Sequence, residues 1–150
     1  CTFAVLKHNN ACGLASRPSL LDAWNDALAG DPVSAFGGVL VTNRQITAEV
    51  ATSITKLFFE IILAPDYDDD ALKILMTKKN RIILKKKPYK FSNEQFRSTL
   101  NGVLWQEYDE VTEMPEQLEV KTKTAPSADQ VEDLLFANKL VKHTKSNAIV

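Results

Sequence analysis

Short apolar runs alternate with amphipathic stretches along this chain, and turn residues punctuate almost every junction. Residues 2–7 are β-prone and predict a strand. It is expected to run into a polar turn over Asn9, Asn10, Ala11, Cys12 and Gly13, since Asn and Gly tolerate left-handed backbone. Leu20, Ala23, Trp24, Ala27 and Leu28 then recur at helical spacing behind Ser19 and Asp22, a pair placed like a capping box. Gly30 stops that helix and Asp31-Pro32 opens a loop. Val39-Leu40-Val41 reads as an apolar run, and Thr47 caps a second helix with Val50, Ile54 and Leu57 inward. Glu60 to Ala64 is a β-branched run closed by Pro65, expected as a buried strand. Asp68, Asp69 and Asp70 open a helix carrying Leu72, Ile74, Leu75 and Met76, where carboxylates suit the positive end of the helix dipole. Further strands are expected over 81–84 and 100–105. Ser127 with Gln130 caps a last helix, with Val131, Leu134, Leu135 and Val141 on one face. Strands alternating with helices imply an α/β fold, an α-β-α layered sandwich with a mixed sheet.

Composition narrows the picture. One hundred and fifty residues suffice for a single ordinary core. Lys plus Arg (18) against Asp plus Glu (19) leaves a net charge of −1, which argues against a general nucleic-acid coat protein. No apolar run approaches a membrane span, and two cysteines, Cys1 and Cys12, cannot staple a domain of this size. A reducing, cytoplasmic home is expected. The chain opens on an apolar β-prone run without an initiator Met and stops at Ala148-Ile149-Val150, which reads as the start of another strand. A piece of a longer protein is therefore expected. Charge is uneven: nine basic residues and one acid, Glu94, lie between Lys73 and Arg97, and six acids lie in 107–119. The basic stretch, densest at Lys85, reads either as a nucleotide- or RNA-binding patch of a non-catalytic module or as an edge strand guarded by lysines.

Candidate chemistry begins with absences. Neither GxxxxGK[ST] nor GxGxxG occurs, the histidines and cysteines lack zinc-deaminase spacing, and there is no GxSxG. Three clusters remain, each with an ordinary reading beside the chemical one. Lys7-His8, where a strand meets a turn, pairs an electrostatic clamp with a general acid or base, or is a solvated surface pair. In Ser34-Ala35-Phe36-Gly37-Gly38, Phe36 stacks on a flat heterocycle while the Gly37 backbone approaches it, or Phe36 is a core residue. Asn147, in Lys145-Ser146-Asn147, positions a reacting amide or amine, or ends a helix.

Taken in order, residues 7–13, 31–38, 60–67 and 141–147 resemble the transformylase part of the bifunctional AICAR transformylase/IMP cyclohydrolase family, and the resemblance covers essentially the whole chain. It implies formyl transfer from 10-formyltetrahydrofolate to the 5-amino group of AICAR, giving FAICAR in purine biosynthesis. It also implies a cytidine-deaminase-like fold without zinc. By the same resemblance Lys7, His8 and Asn147 are catalytic, and Phe36, Gly37, Glu60, Asn10 and Ser34 contact the nucleotide. Val141 and Thr144 lie in a segment contributing to a potassium site in some members. Ala11 stands where many relatives have Pro, which would stiffen the turn without changing a reacting group. The resemblance further implies that the chain is the first transformylase subdomain. The cyclohydrolase domain and second subdomain are then absent, and the active sites form at a homodimer interface. AICAR and folate are the implied partners, with no nucleic acid and no membrane.

Overall fold

In the computed structural model, which describes residues 1–150, β1 (Thr2–Lys7) turns directly into β2 (Asn10–Ser16). Lys7 pairs with Asn10, so the loop holds only His8 and Asn9, at φ 52° and 69°. Two consecutive left-handed residues make a hairpin turn whose twist matches the flanking strands. The expected turn over 9–13 is thereby corrected: residues 10–13 belong to the strand. Small side chains there admit a helix against the sheet. A Cβ on Gly13 would stand 1.8 Å from the Ala27 carbonyl oxygen, so only glycine allows that approach.

Two compact units form, Cys1–Pro88 and Tyr89–Val150. In the first, a five-stranded sheet runs β2-β1-β3-β4-β5, with β3 (Gly38–Thr42), β4 (Phe59–Ala64) and β5 (Ile82–Lys85). β1 is antiparallel to β2 and β3, while β3, β4 and β5 are parallel. The expected mixed sheet and α/β sandwich are what the chain adopts. Helices α1 (Leu20–Gly30), α2 (Ala48–Ile54) and α3 (Asp69–Leu75) share one buried cluster with Phe3, Val5, Leu40, Ile62 and Ala64. Ser19 and Thr47 accept the Asp22 and Val50 N–H groups at 3.1 and 3.4 Å, satisfying helix-end donors as the sequence signals require. Trp24 centres the cluster, its ring 5.1 Å from Phe3 and its indole N–H donating to Ser53 at 3.0 Å. Truncating a buried aromatic of this kind typically costs about 3–5 kcal/mol. The opposite face of the sheet is also apolar, in two rows, Leu6-Val39-Ile61-Ile82 and Ala4-Val41-Leu63-Leu84. That is why these strands read as unbroken apolar runs rather than alternating ones.

β5 is one of the two edge strands, as the lysine-guarded reading of the basic stretch expects. Lys85 pairs with Asp66 at 2.7 Å and Lys73 with Asp70 at 2.7 Å, both in exposed positions. Arg81 lies 4.3 Å over the Phe59 ring and donates to the Thr55 hydroxyl at 3.1 Å. Each of these three cations has a partner within the unit, Arg81 the more buried one and the two lysines at the surface.

The second unit holds an antiparallel ribbon of β6 (Glu94–Thr99) and β7 (Gly102–Glu107), a short 3-10 turn (Pro115–Gln117) and α4 (Ala128–Lys142). β6 is polar and nearly pattern-free, so periodicity did not mark it; the strand expected over 100–105 starts two residues later because Leu100 and Asn101 make the turn. The capping box at Ser127 and Gln130 forms in full. No residue of this unit is buried, and Leu134 is exposed. Residues 148–150 carry no strand within this chain. No helix is long and apolar enough to cross a membrane.

Candidate functional site

Two irregularities in the sheet fall at one end, where β1 finishes and β3 and β4 begin. Between Val5 and Leu6 the β2 register skips Cys12, and between Gly38 and Val39 the β4 register skips Glu60. Bulges of this kind bend the strand and re-aim a side chain. The second one takes Glu60 out of the ladder and leaves it exposed at the sheet end.

A cavity of about 390 Å³ opens there, lined by Leu6, Lys7, His8, Phe36, Gly37, Val39, Phe58 and Glu60. Each lining group arrives by a definite local cause. Lys7 ends β1, and His8 is the first residue of the hairpin loop. Phe36 and Gly37 come on a loop folded by its own hydrogen bonds. The Asp31 carboxylate accepts the Ser34 N–H at 2.9 Å, the Asp31 carbonyl that of Ala35 at 3.2 Å, and the Ala35 carbonyl that of Gly38 at 3.0 Å. Ser34 accordingly holds the Asp31 carboxyl below its ordinary value, chiefly through its side-chain hydrogen bond. The Gly37 N–H then donates to the Phe58 carbonyl at 2.9 Å, tying the loop to the start of β4. The Lys7 ammonium donates to the Phe36 carbonyl. Gly37 sits at φ 70°, and a Cβ there would stand 3.4 Å from the Lys7 Nζ, so glycine serves both the backbone and the cation beside it.

The structure therefore brings together Lys7, His8, Phe36, Gly37 and Glu60, all singled out from the sequence. Phe36 is 61% exposed, which removes its core reading. Ser34 shapes the loop without lining the cavity, and Asn10 sits at the base of the hairpin opposite Lys7. Asn147 lies in the second unit, exposed, beyond the end of α4. Val141 and Thr144 close that helix: the Val141 carbonyl accepts the Thr144 N–H at 3.0 Å, and the Thr144 hydroxyl donates to the Leu140 carbonyl at 2.9 Å. Phe58 escaped sequence reasoning. It precedes the apolar run that marked β4, and only its neighbour Phe59 is core, fully buried where Phe58 is 51% exposed.

Chemically, the cavity offers an ammonium, an imidazole and a carboxylate beside two phenyl rings. Cys12 adds no nucleophile: burial pushes its thiol above the ordinary value, and the sulfur donates to the Val5 carbonyl at 3.4 Å. A larger groove of about 1110 Å³ lies wholly in the second unit, between residues 113–126 and α4, and is lined by none of the candidate site residues.

The family model described as AICARFT/IMPCHase bienzyme matches residues 1–150. Among similar proteins, the bifunctional purine biosynthesis protein PurH of Bacteroides thetaiotaomicron is 64% identical over 149 residues, covering 99% of this chain and 29% of that protein. PurH of Aquifex aeolicus is 44% identical over 147 residues, covering 98% of this chain and 28% of its own length. PurH of Ligilactobacillus salivarius is 46% identical over 153 aligned positions, covering 99% and 30%. The chain thus spans about 29% of the length of the first of these relatives.

Proposed function

Because the chain belongs to the AICARFT/IMPCHase bienzyme family, we propose that it supplies part of a formyl-transfer site in purine biosynthesis. The reaction moves the formyl group of 10-formyltetrahydrofolate to the 5-amino group of AICAR and gives FAICAR. The observation that carries this reading is the convergence of Lys7, His8, Phe36, Gly37 and Glu60 on one cavity.

The 5-amino group is a poor nucleophile, since the ring and carboxamide withdraw its lone pair. As its nitrogen bonds to the formyl carbon, His8 takes a proton from it. The Lys7 ammonium faces the tetrahedral oxyanion and helps return a proton to the folate nitrogen as the carbon–nitrogen bond to folate breaks. Asn147 holds the attacking amine or the formyl oxygen in line. Phe36 and Gly37 border the nucleotide, Glu60 contacts it, and Asn10 and Ser34 support that contact. The Val141 carbonyl and the Thr144 hydroxyl lie at the C-terminal end of α4, and the Thr144 oxygen keeps its lone pairs free of the bond it donates to the Leu140 carbonyl. Neutral oxygens of this type suit potassium as two members of its shell. The sheet is read as cytidine-deaminase-like, without zinc. The chain is read as the amino-terminal transformylase subdomain of a cytoplasmic homodimer, with a second transformylase subdomain and a cyclohydrolase domain elsewhere in the parent.

Proton transfer by a positioned side chain contributes about 10²–10⁴-fold. In the full-length parent, His8→Ala is expected to lower kcat by that order with an unchanged circular dichroism spectrum. A folded variant that keeps most of its activity overturns the assignment.

A further inference from the structure

Phe58 and Phe36 stand 5.0 Å apart, centroid to centroid, with their planes 39° from parallel. Both line the cavity, and both leave more than half their surface in water, 51% and 61%. Exposed phenyl area is unfavourable, and pairing two rings removes only part of it. The next residue, Phe59, shows that the chain buries an aromatic at this point when packing alone requires one. Phe58 is instead fixed by its backbone: its carbonyl takes the Gly37 N–H at 2.9 Å, while the Phe36 carbonyl takes the Lys7 ammonium. One hydrogen-bonded path therefore ties the backbones of both aromatic residues to the cation.

We infer that Phe58 is a positioning residue that forms, with Phe36, an open two-ring platform for a flat heteroaromatic ring. This rests on the formyl-transfer reading, and it assigns the platform to the imidazole of AICAR rather than to folate. The ring that carries the reacting amine must lie within reach of Lys7 and His8, which line the same cavity. Holding that ring in one plane orients the amine toward the formyl carbon.

The test uses the full-length parent as wild type, Phe58→Leu, Phe58→Tyr and Phe36→Leu. Initial rates are measured while each substrate is varied with the other saturating, and AICAR binding is measured by calorimetry. Phe58→Leu is expected to raise both KM and Kd for AICAR about 3- to 10-fold. The KM for folate should stay near wild type, Phe58→Tyr should restore AICAR affinity, and Phe36→Leu should act like Phe58→Leu. Unchanged AICAR affinity in folded Phe58→Leu overturns the inference. So does a loss confined to folate, or a Tyr variant as weak as the Leu variant. A wild-type parent that neither binds AICAR nor transfers formyl overturns the formyl-transfer reading itself, an outcome visible before any variant is made.

Discussion

His8 holds φ at 52°, in the left-handed region that side chains with a Cβ enter at a cost of roughly 1 kcal/mol. The two-residue loop demands that conformation at both positions, and Asn9 meets it more easily. Under the formyl-transfer reading, the left-handed backbone and the proton-transfer role proposed for His8 make opposite demands on this position. His8→Gly is therefore expected to leave the unfolding free energy equal or higher by up to about 1 kcal/mol. In the parent the same change is expected to lower kcat by about 10²–10⁴-fold. Urea midpoints and steady-state rates measure the two effects, and a clear loss of stability would contradict the strained-turn account. At this scale Lys7, His8, Phe36 and Gly37 were legible as candidates from residue type and from the family-like motifs around them, and Glu60 from its motif alone. Phe58 was not. It stands just before β4, exposed where the adjoining Phe59 is fully buried, and two consecutive phenylalanines give residue type nothing by which to tell the two apart.

Among the elements, the parallel ladder between β4 and β5 is reinforced by one phenol. Tyr67 is buried; its hydroxyl donates to the Leu84 carbonyl at 2.8 Å, with the Ile62 carbonyl 3.2 Å away. The backbone beside it adds the Lys86 N–H to Ala64 carbonyl bond at 2.9 Å. Burial pushes the Tyr67 pKa up to about 12 from an ordinary 10. A raised pKa means that the folded state favours the neutral phenol, so its contribution is complete below pH 10 and fades as pH climbs toward 12. Tyr67→Phe should cost about 1 kcal/mol at pH 8, where the phenol hydrogen bond is intact. The gap between variant and wild type should then close between pH 10 and 12, which unfolding curves at stepped pH would show. A constant gap across that window would mean that the phenol does not couple to alkaline unfolding. Element boundaries were most legible where a side chain caps a helix, as at Ser19, Thr47 and Ser127. β2 and β6 were missed for different reasons. The first was hidden by turn-forming residues that belong to a strand under α1, and the second by a polar sequence stabilised only through its ladder with β7.

For the molecule as a whole, burial is divided unequally. The alternation of apolar runs and amphipathic stretches made the mixed α/β sandwich readable, because a single cluster under one sheet accounts for every helix of residues 1–88. The same cues could not reveal that residues 89–150 form a separate unit without a buried side chain, since α4 is well capped and carries apolar residues like any core helix. Capping fixes where a helix starts; it does not supply a surface to pack against. A two-stranded ribbon such as β6 and β7 is likewise marginal without a covering layer. Local opening free energy follows buried apolar contact, so the two units should open independently and at different cost. In hydrogen exchange on this chain, amides of β1, β3 and β4 are expected to be protected near the global limit, while those of β6, β7 and α4 exchange well before them. Limited proteolysis should cut first within 107–126, where the backbone is exposed and carries only one short 3-10 turn. Exchange at one common rate across both units would show instead that they unfold as a single cooperative body, and that the lack of buried side chains in the second does not set its stability.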